Sequence, residues 1–298
     1  MARGSAKATV TIDGHEVRLT SLDRVMYPEV AFTKGDVVDY YRAVAGPILN
    51  QLHNRVVTQI RFPEGVGGER FYQKNASRYT PDWIRTFVIA ASPGSDKPSK
   101  MVTWPVIDNE AGLLWFANQA ALELHTPQWH VGPRGGIGRP DRLVFDLDPG
   151  EGVNLDGVAG IARLVRDRLA EDGYEAVPVT SGGKGIHLYA PVSGKTSRVV
   201  HRYAESFAKA LAEAHPQRIV AVQAKEQRVG KVMLDWSQNH PAKSTATPYT
   251  LRGKGGAPTV AAPRSWDEIV DGLAQLGPAE VVARLERDGN LMARHDPE

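Results

Sequence analysis

Two aspartates close an apolar run in Arg142-Leu143-Val144-Phe145-Asp146-Leu147-Asp148-Pro149-Gly150. Side chains alternate faces along a strand, so Val144, Asp146 and Asp148 share one face and Leu143, Phe145 and Leu147 the other. Carboxylates that close repel each other unless a cation lies between them. A hard divalent metal held by oxygen ligands is one resolution. The other is an acidic strand end running out into a solvated Pro149-Gly150 turn, and this segment alone does not choose between them.

Further residues could join this pair. The turn Thr180-Ser181-Gly182-Gly183-Lys184-Gly185 carries three glycines, so its backbone amides can approach a ligand and form an anion-binding nest. Lys184 adds a point charge and Ser181 a hydroxyl. The P-loop spacing is absent, and taken alone the turn reads more simply as a tight hairpin with a solvated lysine. His187 alternates with Ile186 and Leu188, and Asp235 with Leu234 and Trp236. Asp235 could instead cap the turn into Ser237-Gln238-Asn239, and His187 could be a buried structural histidine. Bases gather around Asp235: Lys225, Arg228 and Lys231 before it, Lys243, Arg252 and Lys254 after it. A strand over Tyr249-Thr250-Leu251-Arg252 could aim Arg252 at a triphosphate; a solvated basic loop is the plainer reading. Residues 55–85 interleave bases with aromatics, including Arg61, Arg70, Phe71, Tyr72, Lys74 and Trp83. Stacking platforms beside positive charge suit nucleic acid, and a half-buried strand layer with snorkelling arginines fits equally.

The elements that must position these residues follow from period and punctuation. After the Gly- and Pro-rich stretch 132–140 the pattern predicts strand 142–148, helix 156–171, strand 174–180, strand 185–190, helix 197–214 and strand 231–236. This β-α-β-β-α-β order is the split βαβ unit. With right-handed crossovers both helices cover one sheet face and leave the other open. The first strand is then central, flanked by the third and fourth, and Asp146, Asp148, His187 and Asp235 meet on the open face. Acids for metal, metal for phosphate and a Gly-Lys turn for the rest of a polyphosphate make one consistent site. Upstream, a hairpin is expected around Asp13-Gly14, after a loose tail over 1–7. A helix should start at Thr33, with Asp36 completing a capping box. Strands are expected over 56–60, 71–72, 87–90 and 101–105, and a helix over 111–125. Downstream, Ser265 and Glu268 form a second capping box, and 266–292 reads as two helices broken at Gly277-Pro278.

The totals set bounds. At 298 residues, 42% hydrophobic and 23% charged, the chain can bury a sizeable core. The absence of cysteine excludes disulfides, thiolate zinc sites and a thiol nucleophile. Residues 1–7 have no apolar core of the kind a signal peptide carries, and no run approaches a membrane span. The formal charge of +2 neither demands nor forbids nucleic acid, so a phosphate surface must come from local clustering.

The three segments around Asp146-Leu147-Asp148, Ser181-Gly182-Gly183-Lys184-Gly185-Ile186-His187 and Leu234-Asp235-Trp236-Ser237-Gln238-Asn239 resemble the three motifs of the archaeo-eukaryotic primase superfamily. More closely, they resemble the polymerase domain of bacterial ligase D, which acts in non-homologous end joining. The likeness extends to Leu22-Asp23-Arg24-Val25-Met26-Tyr27-Pro28, Thr33-Lys34-Gly35-Asp36, 121–129 and Tyr249-Thr250-Leu251-Arg252-Gly253. It implies an α+β fold: a primase-like core with a split, RRM- or ferredoxin-like sheet over 140–260, an N-terminal α/β layer over 8–135 and C-terminal helices over 265–295, all within one domain, 1–298. It implies a cytoplasmic, nucleoid-associated enzyme that fills gaps and extends 3′ ends at double-strand breaks, favouring ribonucleotides, with a two-metal site for manganese or magnesium. Asp146, Asp148 and Asp235 would hold metal. Ser181, Lys184, His187 and Arg252 would hold the nucleoside triphosphate, with His125 and Lys243 near it. Arg228 would help place the primer end, Arg24 and Lys34 would receive the 5′-phosphate across a gap, and Phe71 and Tyr72 would stack near the template. The implied partners are gapped or end-paired DNA, the Ku end-binding protein and a DNA ligase domain. Ser21, Arg24 and Tyr72 depart from the usual Asn, Lys and Phe, so the phosphate pocket is carried over less directly than the acids. Two rivals remain: a D-x-D phosphohydrolase, whose motif wants Thr or Val where Gly150 stands, and a non-catalytic module that bridges DNA ends.

Overall fold

In the computed structural model, which describes residues 6–95 and 98–296, the strand Arg142–Pro149 lies inside a six-stranded sheet. The order across the sheet is Ile219–Val220, Val232–Asp235, Arg142–Pro149, Ile186–Pro191, Val177–Thr180 and Ala262–Pro263. Ile219–Val220 runs parallel to its neighbour, and the remaining pairs are antiparallel. The two outermost strands were not expected, because two residues are too few to show a period. Leu155–Glu171 and Ser197–Ala214 cover one face. They do so because alternate strand residues, Leu143, Phe145, Leu147, Ile186, Leu188 and Leu234, meet Val158, Ile161, Val165 and Phe207 in one core. Asn154 and Thr196 cap these helices through their side chains.

The other face is not open over most of its length. Val144, Val179 and Tyr189 pack into a second core shared with the N-terminal half of the chain. That half supplies the helices Lys34–Ala43, Ala45–Leu52 and Glu110–Asn118 and three strands of a four-stranded sheet, ordered Thr245–Ala246, Ala121–Thr126, Thr58–Arg61 and Phe71–Gln73, in which Thr245–Ala246 joins from the C-terminal half. The reason is visible in the strand parity: apolar Val144 and Tyr189 share the face of Asp146 and His187, and apolar surface of that size must be covered. Only the acidic end of the face opens to a cleft. Tyrosines brace the N-terminal layer and hold the segment 249–252 against it: Tyr41 donates to the Leu122 carbonyl, Tyr40 to that of Tyr249 and Tyr27 to that of Arg252. Fully buried Arg142 crosses between the two layers, donating to Gln128, Gln51 and Thr126.

Other expectations met mixed outcomes. The hairpin turns at Asp13-Gly14, where both residues have positive φ. Strand pairing begins at Lys7, and residues 1–5 of the expected tail lie outside the described residues. Both capping boxes form, at Thr33–Asp36 and Ser265–Glu268. The expected helix over 111–125 is wrong in its second half: the helix is Glu110–Asn118, Ala120 turns the chain at φ 58°, and Ala121–Thr126 is a strand. Leu122 and Leu124 alternate with Glu123 and His125, a period of two that the stripe of alanines obscured. The first tail helix is only a short 3-10 turn, Trp266–Glu268, before the helix Pro278–Asp288.

Asn239 secures the acidic strand at its midpoint. Its amide accepts from the Val144 N–H and donates to the Val144 carbonyl, replacing a missing strand partner, and the side chain is 4% exposed. Replacing Asn239 with Ala strands both buried backbone groups and should cost roughly 2–4 kcal/mol in urea unfolding. Asn239→Asp should cost at least as much, because a carboxylate cannot donate to Val144. A loss under about 0.5 kcal/mol for both variants, within the scatter of surface substitutions, would show that the strand does not need this partner.

Candidate active site

Asp146 pairs in register with His187 on one side and with Asp235 on the other, so three ionisable side chains form a row across three strands. Asp148 stands two residues on, opposite Met233 and beside the turn that leads to His187. Gly185 brings that turn so close that any side chain there would overlap the Leu147 carbonyl. Residues that are 39 and 87 positions from Asp148 in the chain thus become its neighbours, as strand parity predicts.

The electrostatics of the row are unbalanced. Burial first, and then the Asp235 charge, push the Asp146 carboxyl up to about 7. The charge of Asp146 first, and then burial, push Asp148 up to about 6. Asp146 Oδ1 is buried with no hydrogen-bond partner, although His187 Nε2 lies 3.4 Å away. Burial, followed by the Arg252 charge, pulls His187 down to about 3, and its Nδ1 also lacks a partner. His187 is therefore neutral near pH 7 and can act as a hydrogen-bonding group, not as a cation. Asp235 differs: Oδ1 accepts from the Ser237 N–H and hydroxyl, and Oδ2 from Gln238. The turn-capping role and the place beside Asp146 coexist in one residue.

A cleft of about 530 Å³ opens in front of the acids, and its far side is basic. Lys184, Arg252, Lys254 and Arg228 line it with Asp146, Asp148, Ser181, His187 and Thr259. Lys184 is exposed and has no acidic partner among the described residues. Of the two readings of the glycine turn, the braced hairpin fits better than the amide nest: Gly182 N–H donates to Gln275, and those of Gly183 and Gly185 donate to the Ser181 hydroxyl. The turn is braced from within, so an anion here would be met by side chains. Arg228 reaches the cleft from the short 3-10 turn Lys225–Arg228. That loop is tied to the strand end by Gly150 N–H to the Lys231 carbonyl and Gly230 N–H to that of Glu151.

The remaining residues singled out by sequence do not line this cleft. His125 lies behind it, its Nε2 2.9 Å from Glu123, while Lys243 is an exposed residue beyond Asn239. Phe71 and Tyr72 are exposed on the edge strand of the second sheet, with Tyr72 reaching the Ser244 hydroxyl. Arg24 and Lys34 form a separate cluster: the Lys34 N–H donates to the Arg24 carbonyl, and Arg24 is bound to Pro63 and lies 3.6 Å from Glu64. Lys34 is 5% exposed and donates to both the carbonyl and the side-chain oxygen of Asn118; burial, then Arg24, pulls its amine to about 8. Sequence reasoning missed Glu123 and Thr259. Glu123 was hidden by the mistaken helix, although its alternation with Leu122 and Leu124 was the available signal.

Could the acids hold a metal? Hard oxygen donors, raised carboxyl pKa values and an unpartnered buried oxygen are what a hard divalent ion would relieve. Among the described residues, however, no three carboxylate or imidazole groups are gathered tightly enough to hold an ion. Asp146 and Asp148 fit the requirement; Asp235 stands next to them with its oxygens turned to Ser237 and Gln238.

Comparison with known proteins places this arrangement. A family model described as LigD, primase-polymerase domain, matches residues 33–292. The multifunctional non-homologous end joining DNA repair protein LigD of Mycobacterium tuberculosis is 44% identical over 287 residues, which is 94% of this chain and 37% of that protein. The bifunctional non-homologous end joining protein LigD of Bacillus subtilis is 32% identical over 278 residues, 92% of this chain and 43% of that protein. This chain therefore spans about two-fifths of the length of these relatives. The solved polymerase domain from Mycobacterium tuberculosis ligase D, in complex with DNA, superposes with a TM-score of 0.88 at 43% identity, covering 94% of this chain and 99% of that one.

Asp235→Asn removes one like charge and keeps the shape, since Gln238 can turn its unpartnered oxygen toward the new amide. Asp146 should then titrate below about 7, yet remain above the ordinary range because burial is the larger cause. A carboxyl raised in the folded state contributes stability below its unfolded pKa of 3.8 that is lost as pH rises toward about 7. The variant should flatten that decline between pH 4 and pH 7. Carbon-13 titration of the aspartates and urea unfolding across that window measure both effects. An unmoved Asp146 titration would show that the two carboxylates do not sense each other.

Proposed function

The chain belongs to the ligase D primase-polymerase domain family, and on that premise we propose that it is a template-directed, metal-dependent nucleotidyltransferase. It fills gaps and extends 3′ ends during bacterial non-homologous end joining, favours ribonucleotides and recognises a downstream 5′-phosphate. The reading treats 1–298 as one primase-polymerase domain, with the split β-α-β-β-α-β sheet as its catalytic core. What carries it is the facing of two under-compensated carboxylates, Asp146 and Asp148, against four bases across one cleft. That polarity suits a triphosphate whose reacting end is handled by cations and whose tail is held by lysine and arginine.

Asp146, Asp148 and Asp235 would hold divalent cations, manganese or magnesium, and these would supply the charge that acidifies a primer 3′-hydroxyl and stabilises departing pyrophosphate. The chain's own residues do the rest. Lys184, Arg252 and Lys254 hold the phosphates, arginine offering a planar fork and lysine a point charge. Ser181 braces the turn that carries Lys184. His187, neutral and with an unpartnered Nδ1, donates or accepts one hydrogen bond. Arg228 approaches from the loop tied to Gly150 and helps place the primer end. His125 and Lys243 belong to the surroundings of the nucleotide. Arg24 and Lys34, away from the acids, are the candidates for the 5′-phosphate, and exposed Phe71 and Tyr72 for the template base stack. The further partners in this reading are Ku and a DNA ligase domain, with the work done at the nucleoid in the cytoplasm.

On a gapped duplex carrying a 5′-phosphate, with ribonucleotides and manganese, the protein should lengthen the primer. Asp148→Ala should abolish addition while leaving DNA binding intact or stronger, since a negative charge is lost. Normal extension by that variant would overturn the assignment of the acids. Arg24→Ala, at a side chain 41% exposed, should fold normally and reduce the preference for gaps with a 5′-phosphate over gaps without one. Equal preference in the variant and the parent protein would place the phosphate contact elsewhere.

A further inference from the structure

Arg252 lines the cleft, but the group that aims it does not. Its Nε donates to Glu123 Oε2 at 3.1 Å and its Nη1 to the Ser181 carbonyl, which leaves Nη2 without a protein acceptor among the described residues. Glu123, 2% exposed, takes two further donors: the His125 ring through Nε2 at 2.9 Å, also on Oε2, and the Gly253 N–H on Oε1 at 3.0 Å. Gly253 is confined from its other side by the Phe62 ring, which any side chain there would overlap. Gly253 also separates Arg252 from Lys254, the two bases that line this side of the cleft. One carboxylate therefore determines the position of a segment that carries two phosphate-facing charges.

We propose that Glu123 is the positioning residue of the nucleotide site: it clamps Arg252, Gly253 and His125 and so sets where Arg252 and Lys254 meet the incoming phosphates. The proposal rests on the polymerase reading. Burial alone would raise the Glu123 carboxyl, but the His125 hydrogen bond and the Arg252 charge outweigh it and hold the group down at about 2. Glu123 is thus ionised at every working pH and accepts from all three donors. Only a carboxylate can do this. Glutamine has one acceptor oxygen, and its NH2 would face either the Gly253 N–H or the Arg252 and His125 donors. Against an ionised Glu123, neutral His125 carries its proton on Nε2, and burial keeps that ring below its ordinary pKa.

The test compares the parent protein, Glu123→Gln, Arg252→Gln and the double variant. ATP is the probe in direct binding, with and without manganese, and single-nucleotide addition to gapped DNA gives kcat and KM. Glu123→Gln should weaken ATP binding and raise KM roughly tenfold, the scale of one charge-assisted hydrogen bond, with a smaller change in kcat. The double variant should lose clearly less than the sum of the two single losses, because both changes remove the Arg252 contact and only the Lys254 share of the Glu123→Gln loss remains. Fully additive losses, or unchanged ATP binding in Glu123→Gln, would overturn the proposal. If Glu123→Gln does not fold, nitrogen-15 spectra of the parent protein decide. A His125 proton on Nε2 and a protected Arg252 Nε–H support the clamp; a proton on Nδ1 or a freely exchanging Nε–H refutes it. A parent protein that binds ATP but adds no nucleotide would count against the polymerase reading only, because the binding cycle still judges Glu123.

Discussion

Carboxylates on neighbouring strands, half withdrawn from water, cannot all stay ionised near neutral pH without a cation, and the rest of this molecule is arranged around that constraint. A sheet supplies the proximity cheaply: adjacent strands lie about 5 Å apart, so in-register acids are forced together whatever their separation in sequence. The two long helices hold the sheet from behind through Leu143, Phe145 and Leu147. The N-terminal layer covers Val144 and Tyr189 in front and stops short of the acids. What remains is a polar notch at the edge of a sealed interior, where charge interactions are weakly screened.

Two acids in the same region, Glu123 buried and Asp146 partly so, show how differently such a group can be treated. Glu123 is surrounded by donors and held down at about 2, while Asp146 has an unpartnered oxygen and is pushed up to about 7. The first is satisfied by the chain itself and serves structure around the site. The second is left short of positive charge, which is the condition of a group built to receive something. Both lie near Arg252, but that guanidinium donates to Glu123 and Ser181 and to neither of the aspartates. The base that could have neutralised the acids is committed elsewhere, and so the cleft keeps its polarity.

Strand parity made the centre of this site legible from sequence. Asp146, Asp148, His187 and Asp235 needed only alternation and a connection rule to be placed together, and both are strong for long, regular elements. The failures lie where local pattern is ambiguous. Ala120 to Leu124 suits a helix by composition, and only the left-handed turn at Ala120 commits it to a strand. For the glycine turn a nest and a plain hairpin both stayed open, because nothing local reveals that Ser181 and Gln275 take up its amides. The bare sheet face was expected because Val144 and Tyr189 were not counted as apolar surface needing a cover. Lys34 was expected to receive a 5′-phosphate, and nothing local reveals that Asn118, 84 residues away, accepts from its ammonium.

These failures share one physical origin: a hydrogen bond between distant residues leaves no periodic trace. Residues that touch a ligand through a regular element are readable from one sequence, because the element's geometry dictates their direction. Residues that act by holding another residue are not, because their partners come from loops such as 250–254. The acidic row and the contacts of Glu123 therefore differ in how they are found, although Arg252 lines the same cleft as Asp146 and Asp148. The row follows from the strand pattern; the Glu123–Arg252 contact exists only once Thr58–Arg61, Ala121–Thr126 and Thr245–Ala246 have paired. Loss of the second sheet would thus release Arg252 even with every acid still in its row.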